Sequence, residues 1–132
     1  MMMSGGVSGS TGMLGDSNVI EVYGADSAEF LLTIVDDAGE IVDLTGAFIG
    51  FTVKTRISDE HYIFRKTTDQ AAEIEITTPR AGEATIKLTG LETECMDCKS
   101  YLYDVRVVLA SGFRQTVIEP TPFIVKRAVG TY

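Results

Sequence analysis

The sequence contains no tryptophan, and in 132 residues it has one histidine, two cysteines and three prolines. Without tryptophan there is no indole platform to stack on a sugar ring, nor one to pack against an inter-sheet disulfide of the immunoglobulin type. The lone histidine, His61, sits near no serine or cysteine in a nucleophile frame such as G-x-S-x-G. It therefore reads as structural, and the chain is expected not to be an enzyme. Basic residues are also scarce: 11 Lys and Arg stand against 19 Asp and Glu, a formal net charge of -8. Phosphate backbones and anionic lipid surfaces both need basic side chains, so neither nucleic acid nor membrane is an expected partner. No apolar run approaches the roughly 18 residues of a membrane helix. The first residues, Met1 to Gly12, lack both the basic region and the apolar core of a secretory signal. They are rich in Gly and Ser, and residues 1–17 are expected to form a flexible arm outside the fold. Residues 18–132 are then expected to form a single domain.

Within that domain the dominant pattern is alternation. In Asp43–Lys54, the side chains of Ala47, Ile49, Phe51 and Val53 fall on one side of an extended chain. Phe48, Gly50, Thr52 and Lys54 fall on the other, the period-2 signature of a strand with one buried face. The Thr45-Gly46 pair before it marks a turn. Similar stretches flank it: Val19–Tyr23, Ala28–Val35, His61–Thr67, Glu73–Thr77, Ala84–Leu88, Ser100–Leu109 and Phe113–Ile118. Glu119-Pro120-Thr121-Pro122 should interrupt the ladder, because proline has no N–H to give. Phe123–Lys126 then reads as a last strand at a sheet edge, with Val19–Tyr23 as the other candidate edge. Turn signals recur between strands at the 8–12-residue spacing of a sandwich. The expected fold is all-β: an immunoglobulin-like antiparallel β-sandwich of about seven to nine strands. One short helical turn is expected near residues 90–97, where Thr89 or Gly90 can cap Leu91–Met96.

Few residues suggest chemistry. Cys95-Met96-Asp97-Cys98 is a single C-x-x-C, half of a structural zinc site, which needs four ligands. Cys95 and Cys98 are the only weak metal candidates, with a surface pair of thiols as the simpler reading. No cofactor and no catalytic residue is assigned. Asp36, Asp37 and Glu40 do not match a calcium-loop spacing and read as a turn. Glu73 and Glu75 fall on a solvent face.

Several pieces in order carry a family resemblance. They are Asp43-Leu44-Thr45-Gly46-Ala47 opening a strand that ends Phe51-Thr52-Val53-Lys54, then Lys66-Thr67, then Gly82 to Thr89 followed by Leu91-Glu92-Thr93. Tyr101 to Val107 and, after a Gly hairpin, Gln115-Thr116-Val117 complete the series. From about Asn18 to Lys126 the chain resembles the immunoglobulin-like domains of tailed-phage and prophage structural proteins, notably the N-terminal domain of baseplate upper proteins. In that family a long region follows the domain, whereas this sequence ends at Tyr132. The resemblance implies a small non-enzymatic tail, baseplate or head-decoration subunit. It would be made in the bacterial cytoplasm, built into the virion, and bound to other phage structural proteins or to copies of itself. The alternative expectation is a carbohydrate-binding or adhesin-like sandwich.

Overall fold

The computed structural model describes residues 3–9 and 18–131. Nine strands follow one another: β1 (Met3–Gly9), β2 (Ile20–Tyr23), β3 (Ala28–Asp36), β4 (Phe48–Lys54), β5 (Phe64–Thr67), β6 (Ile74–Thr78), β7 (Glu83–Leu88), β8 (Ser100–Val108) and β9 (Arg114–Lys126). A single 3-10 turn, Pro79–Ala81, precedes β7, and a five-residue helix, α1 (Gly90–Glu94), follows it. They form two sheets, of order β1-β3-β7-β6 and β2-β9-β8-β4-β5. The first sheet has the A-B-E-D order of an immunoglobulin sandwich. The second has the C-F-G order, widened beside C by β5 as in variable-type domains. At its other edge β2 joins β9 in parallel, the one parallel pair among the named strands. The fold is thus the expected immunoglobulin-like β-sandwich.

The alternation read in the sequence is the alternation found. Ala47, Ile49, Phe51 and Val53 of the organising stretch are all buried. On β3 the buried set is Ala28, Phe30, Leu32 and Ile34, and on β8 it is Tyr101, Tyr103, Val105 and Val107. Each inner face supplies alternate residues, and together they form one continuous apolar core. Phe51 lies at its centre, with ring centroids 5.1 Å from Tyr103, 6.2 Å from Phe64 and 6.2 Å from Phe123. All four rings come from the five-stranded sheet, on β4, β5, β8 and β9.

Local chemistry sets the turns. The Asp43 side chain accepts hydrogen bonds from the Thr45 N–H and hydroxyl, at 2.9 and 2.6 Å, forming an Asx turn just ahead of β4. Those two bonds hold the Asp43 carboxyl below its usual range. Asp36 does the same work between β3 and β4, accepting from the N–H groups of Ala38 and Glu40. Gly82 adopts φ +68°, and a Cβ there would lie 2.7 Å from the Ile34 carbonyl oxygen, so only glycine fits.

The expected helical turn is present, with Thr89 as its cap. The Thr89 hydroxyl accepts from the Glu92 N–H, and Glu92 Oε1 accepts from the Thr89 N–H, a capping box. Tyr101, near the start of β8, donates from its hydroxyl to the Asp97 carbonyl at 2.9 Å. This bond, four residues back along the chain, is a tyrosine corner.

Three expectations are corrected. Residues 1–17 were expected to be a free arm, but Met3–Gly9 is a strand paired with β3 over its whole length. Glycines weaken strand propensity, yet Met3 and Val7 alternate with smaller residues and are buried. Two of them suffice to anchor an edge strand that propensity alone does not favour. The remainder of that arm, residues 10–17, lies outside the described residues. Second, Phe123–Lys126 is not a separate edge strand. It is the end of β9, held between β8 and β2. Pro120 is accommodated because β9 shifts register against β8 between Tyr103 and Val105, where residues 119–120 are looped into a bulge, while Pro122 stays in the ladder opposite Leu102. Third, β5 begins at Phe64, so His61 stands in the preceding loop rather than on a strand.

Candidate functional site

The residues singled out by sequence do not converge. Cys95 caps the C-terminal end of α1, and both Cys95 and Cys98 are exposed free thiols. Among the described residues, no three metal-ligating side chains come together. Cys98 borders an open groove of about 920 Å³ between the Gly24–Asp26 turn, the start of α1 and residues 126–131. His61 is exposed on the β4–β5 connection, away from that groove. Glu73 accepts from the Thr67 N–H, and Glu75 pairs with Lys87 at 2.9 Å, so both are engaged. Asp36 spends its carboxylate on its own turn, as described above.

Other groups are brought together that sequence spacing does not reveal. Lys66 lies on the inner side of β5, opposite Phe51, and is only 4% exposed. Its ammonium makes a salt bridge with Glu92 of α1 and lies 5.6 Å from the Phe64 ring centroid. Burial would push the Glu92 carboxyl up, but the hydrogen bond from Lys66 and those from Thr89 hold it below its usual range. The pair ties α1 to the far strand of the second sheet. A lysine followed by a threonine in a four-residue strand gives no hint of this, because the partner is 26 residues away.

The second assembly lies on the outer face of the five-stranded sheet. Cross-strand pairing sets Thr52 between Arg65 and Asp104, and Gly50 beside Arg106. Arg114 pairs with Val108 at the start of β9. Arg65, Arg106 and Arg114 line one concavity of about 220 Å³, with Phe48, Gly50 and Gln115. Gly50 forms its floor: a Cβ there would stand 3.3 Å from an Arg65 guanidinium nitrogen. Arg65 also lies 5.9 Å from the Phe48 ring centroid, a cation–π distance. Burial raises the Asp104 carboxyl above its ordinary range, against the pull of Arg106, Lys54 and Arg65. No salt bridge joins any of the three arginines to a carboxylate among the described residues. In a chain of charge -8, this is a local concentration of cations with room above it.

At the other end of the same face, Ile57 borders a shallow cleft of about 90 Å³ with Leu102 and Pro120. Ile57, Tyr62 and Ile63 of the β4–β5 connection are all exposed. The arrangement offers guanidinium forks and apolar side chains on one sheet face, the chemistry of protein recognition.

No family model and no curated protein matches the sequence. Among solved structures, CopC from Methylosinus trichosporium OB3b superposes with a TM-score of 0.46 at 14% identity, over 85% of this chain and 89% of that one. Murine CRIg superposes with a TM-score of 0.43 at 12% identity, over 94% of this chain and 98% of that one.

Proposed function

We propose that the chain is a non-enzymatic structural module of a tailed-phage or prophage virion, joining tail or baseplate subunits through exposed faces of its sandwich. The observation that carries the reading is the outer face of the β2-β9-β8-β4-β5 sheet, where an arginine concavity and the cleft bordered by the exposed Ile57 share one side of the molecule. An exposed large apolar side chain on the same face as cations that form no salt bridge marks a partner surface more than a solvated one. The order of strand-opening pieces that resembles phage immunoglobulin-like domains supplies the class of partner. In the structure those pieces lead into and end β4, span β7 and run through β8.

Edge-strand addition is the weaker route. Of the four outer strands, β2 and β5 have four residues each and β6 has five with an irregular ladder, while β1 has seven, two of them buried in the core. Short or bulged edges are those that proteins use to resist pairing, and three of the four are of this kind. Docking through sheet faces is therefore the expected mode, with β1 as the one longer edge.

The test is binding of the purified chain to the products of the genes that flank its own, followed by sedimentation velocity. A faster-sedimenting complex with a tail or baseplate subunit supports the proposal. Failure with every such subunit, combined with calcium-dependent binding on a glycan array, would replace it with a carbohydrate-binding or adhesin-like module.

A further inference from the structure

We propose that copies of this chain associate head to tail, the arginine concavity of one copy receiving the acidic outer face of the four-stranded sheet of the next. This rests on the assembly reading above and names a partner for that surface. Two observations carry it.

First, the two outer faces have opposite charge. The β5–β4–β8 part of the five-stranded sheet, with the start of β9, presents Lys54, Arg65, Arg106 and Arg114 against the single carboxylate of Asp104. On the four-stranded sheet, pairing sets Glu29 opposite Lys87, Glu83 opposite Thr33, and Glu75 opposite Thr85. That face therefore carries three carboxylates against one cation, and Lys87 is already held by Glu75. The two surfaces lie on opposite sides of the sandwich, because each is the outer face of its own sheet.

Second, each face has an apolar element beside its charges. Phe48 and Val108 flank the arginines. Leu31, exposed on β3, stands next to Glu29 and opposite Thr85. Guanidinium forks match carboxylates in bidentate geometry, and apolar contacts at the centre would exclude water from those pairs.

Because the two surfaces differ, the contact is heterologous. Repetition of such a contact closes into a ring or runs on as a filament, according to the rotation between neighbours. Isologous pairing of two arginine faces would instead place like charges together.

The experiment is charge reversal and complementation, read by sedimentation velocity over a rising concentration series. One variant carries Arg65→Glu and Arg106→Glu, and the other Glu29→Lys and Glu83→Lys. All four residues are on solvent-facing positions, and circular dichroism checks that both variants keep the strand spectrum. The wild type is expected to self-associate. Each variant alone is expected to weaken association on the order of 100-fold, because like charges then meet across the contact. An equimolar mixture of the two variants is expected to recover association, since acidic faces then meet basic ones. A wild type that remains monomeric throughout overturns the head-to-tail contact. So does self-association that both variants retain, or a mixture that fails to recover. If the monomeric wild type still binds a flanking tail subunit, the assembly proposal stands and only the self-pairing falls.

Discussion

Replacing Phe51 with alanine probes the organising strand directly. Phe51 is fully buried at the centre of the core, in contact with rings from β5, β8 and β9. Deleting a buried phenylalanine costs about 3–5 kcal/mol through lost transfer free energy and the cavity left behind. The upper half of that range applies here, since three neighbouring rings lose a partner and each aromatic pair adds about 0.5–1.5 kcal/mol beyond its area. For a chain of 132 residues, each kcal/mol shifts the melting temperature by about 3–5 °C, so the expected fall is about 12–25 °C. The assay is thermal unfolding followed by circular dichroism, with Thr52→Ala as the control. Thr52 is adjacent but faces outward, and its loss should cost no more than about 0.5 kcal/mol. An unmoved melting temperature for Phe51→Ala, or a larger fall for Thr52→Ala, would mean the register is off by one. Every inward and outward assignment on β4 would then reverse.

Removing residues 1–9 should destabilise the fold by about 2–5 kcal/mol, because Met3 and Val7 leave the core, and a thermal melt of the truncated chain checks it. Glu92→Ala should cost about 3–5 kcal/mol by leaving Lys66 buried without its partner, whereas Lys66→Met should cost far less; denaturant titrations of the two variants compare them. The same pair predicts acid sensitivity: the Glu92 carboxyl is held low in the folded chain, so its stabilisation is present above about pH 4.3 and lost as pH falls through the folded value. At the alkaline end, burial pushes the Tyr103 phenol far above its ordinary value. Its contribution is present below about pH 10 and lost as pH rises beyond that, so stability should decline there, and less so in Tyr103→Phe after allowing for its lost bond to the Asn18 carbonyl. Tyr101→Phe should cost about 1 kcal/mol, the bond of the tyrosine corner, measured by chemical unfolding.

The fold was legible in the sequence because period-2 alternation reports burial directly. Residues such as Ala47, Ile49, Phe51 and Val53 declare one face wherever they sit in the chain. What alternation cannot report is pairing between distant strands. The parallel join of β2 to β9 is of this kind, as is the docking of β1, whose glycines look like linker until Met3 and Val7 find a core to enter. Pro120 misled for a related reason: the register shift that admits it is a property of the β8–β9 pair, not of β9 alone. The arginine concavity was equally hidden. Arg65, Arg106 and Arg114 lie on three strands, and only the sheet order brings them over Gly50. The cysteines, conspicuous in sequence, stand exposed on a connection without further ligands around them among the described residues.

The claim that this sandwich is a virion component is met most directly by mass spectrometry of phage particles purified from the strain that encodes it. The account predicts peptides of this chain in the purified particles, at a copy number comparable to that of tail or baseplate subunits. Particles that carry their full set of tail proteins but no trace of this chain would contradict it.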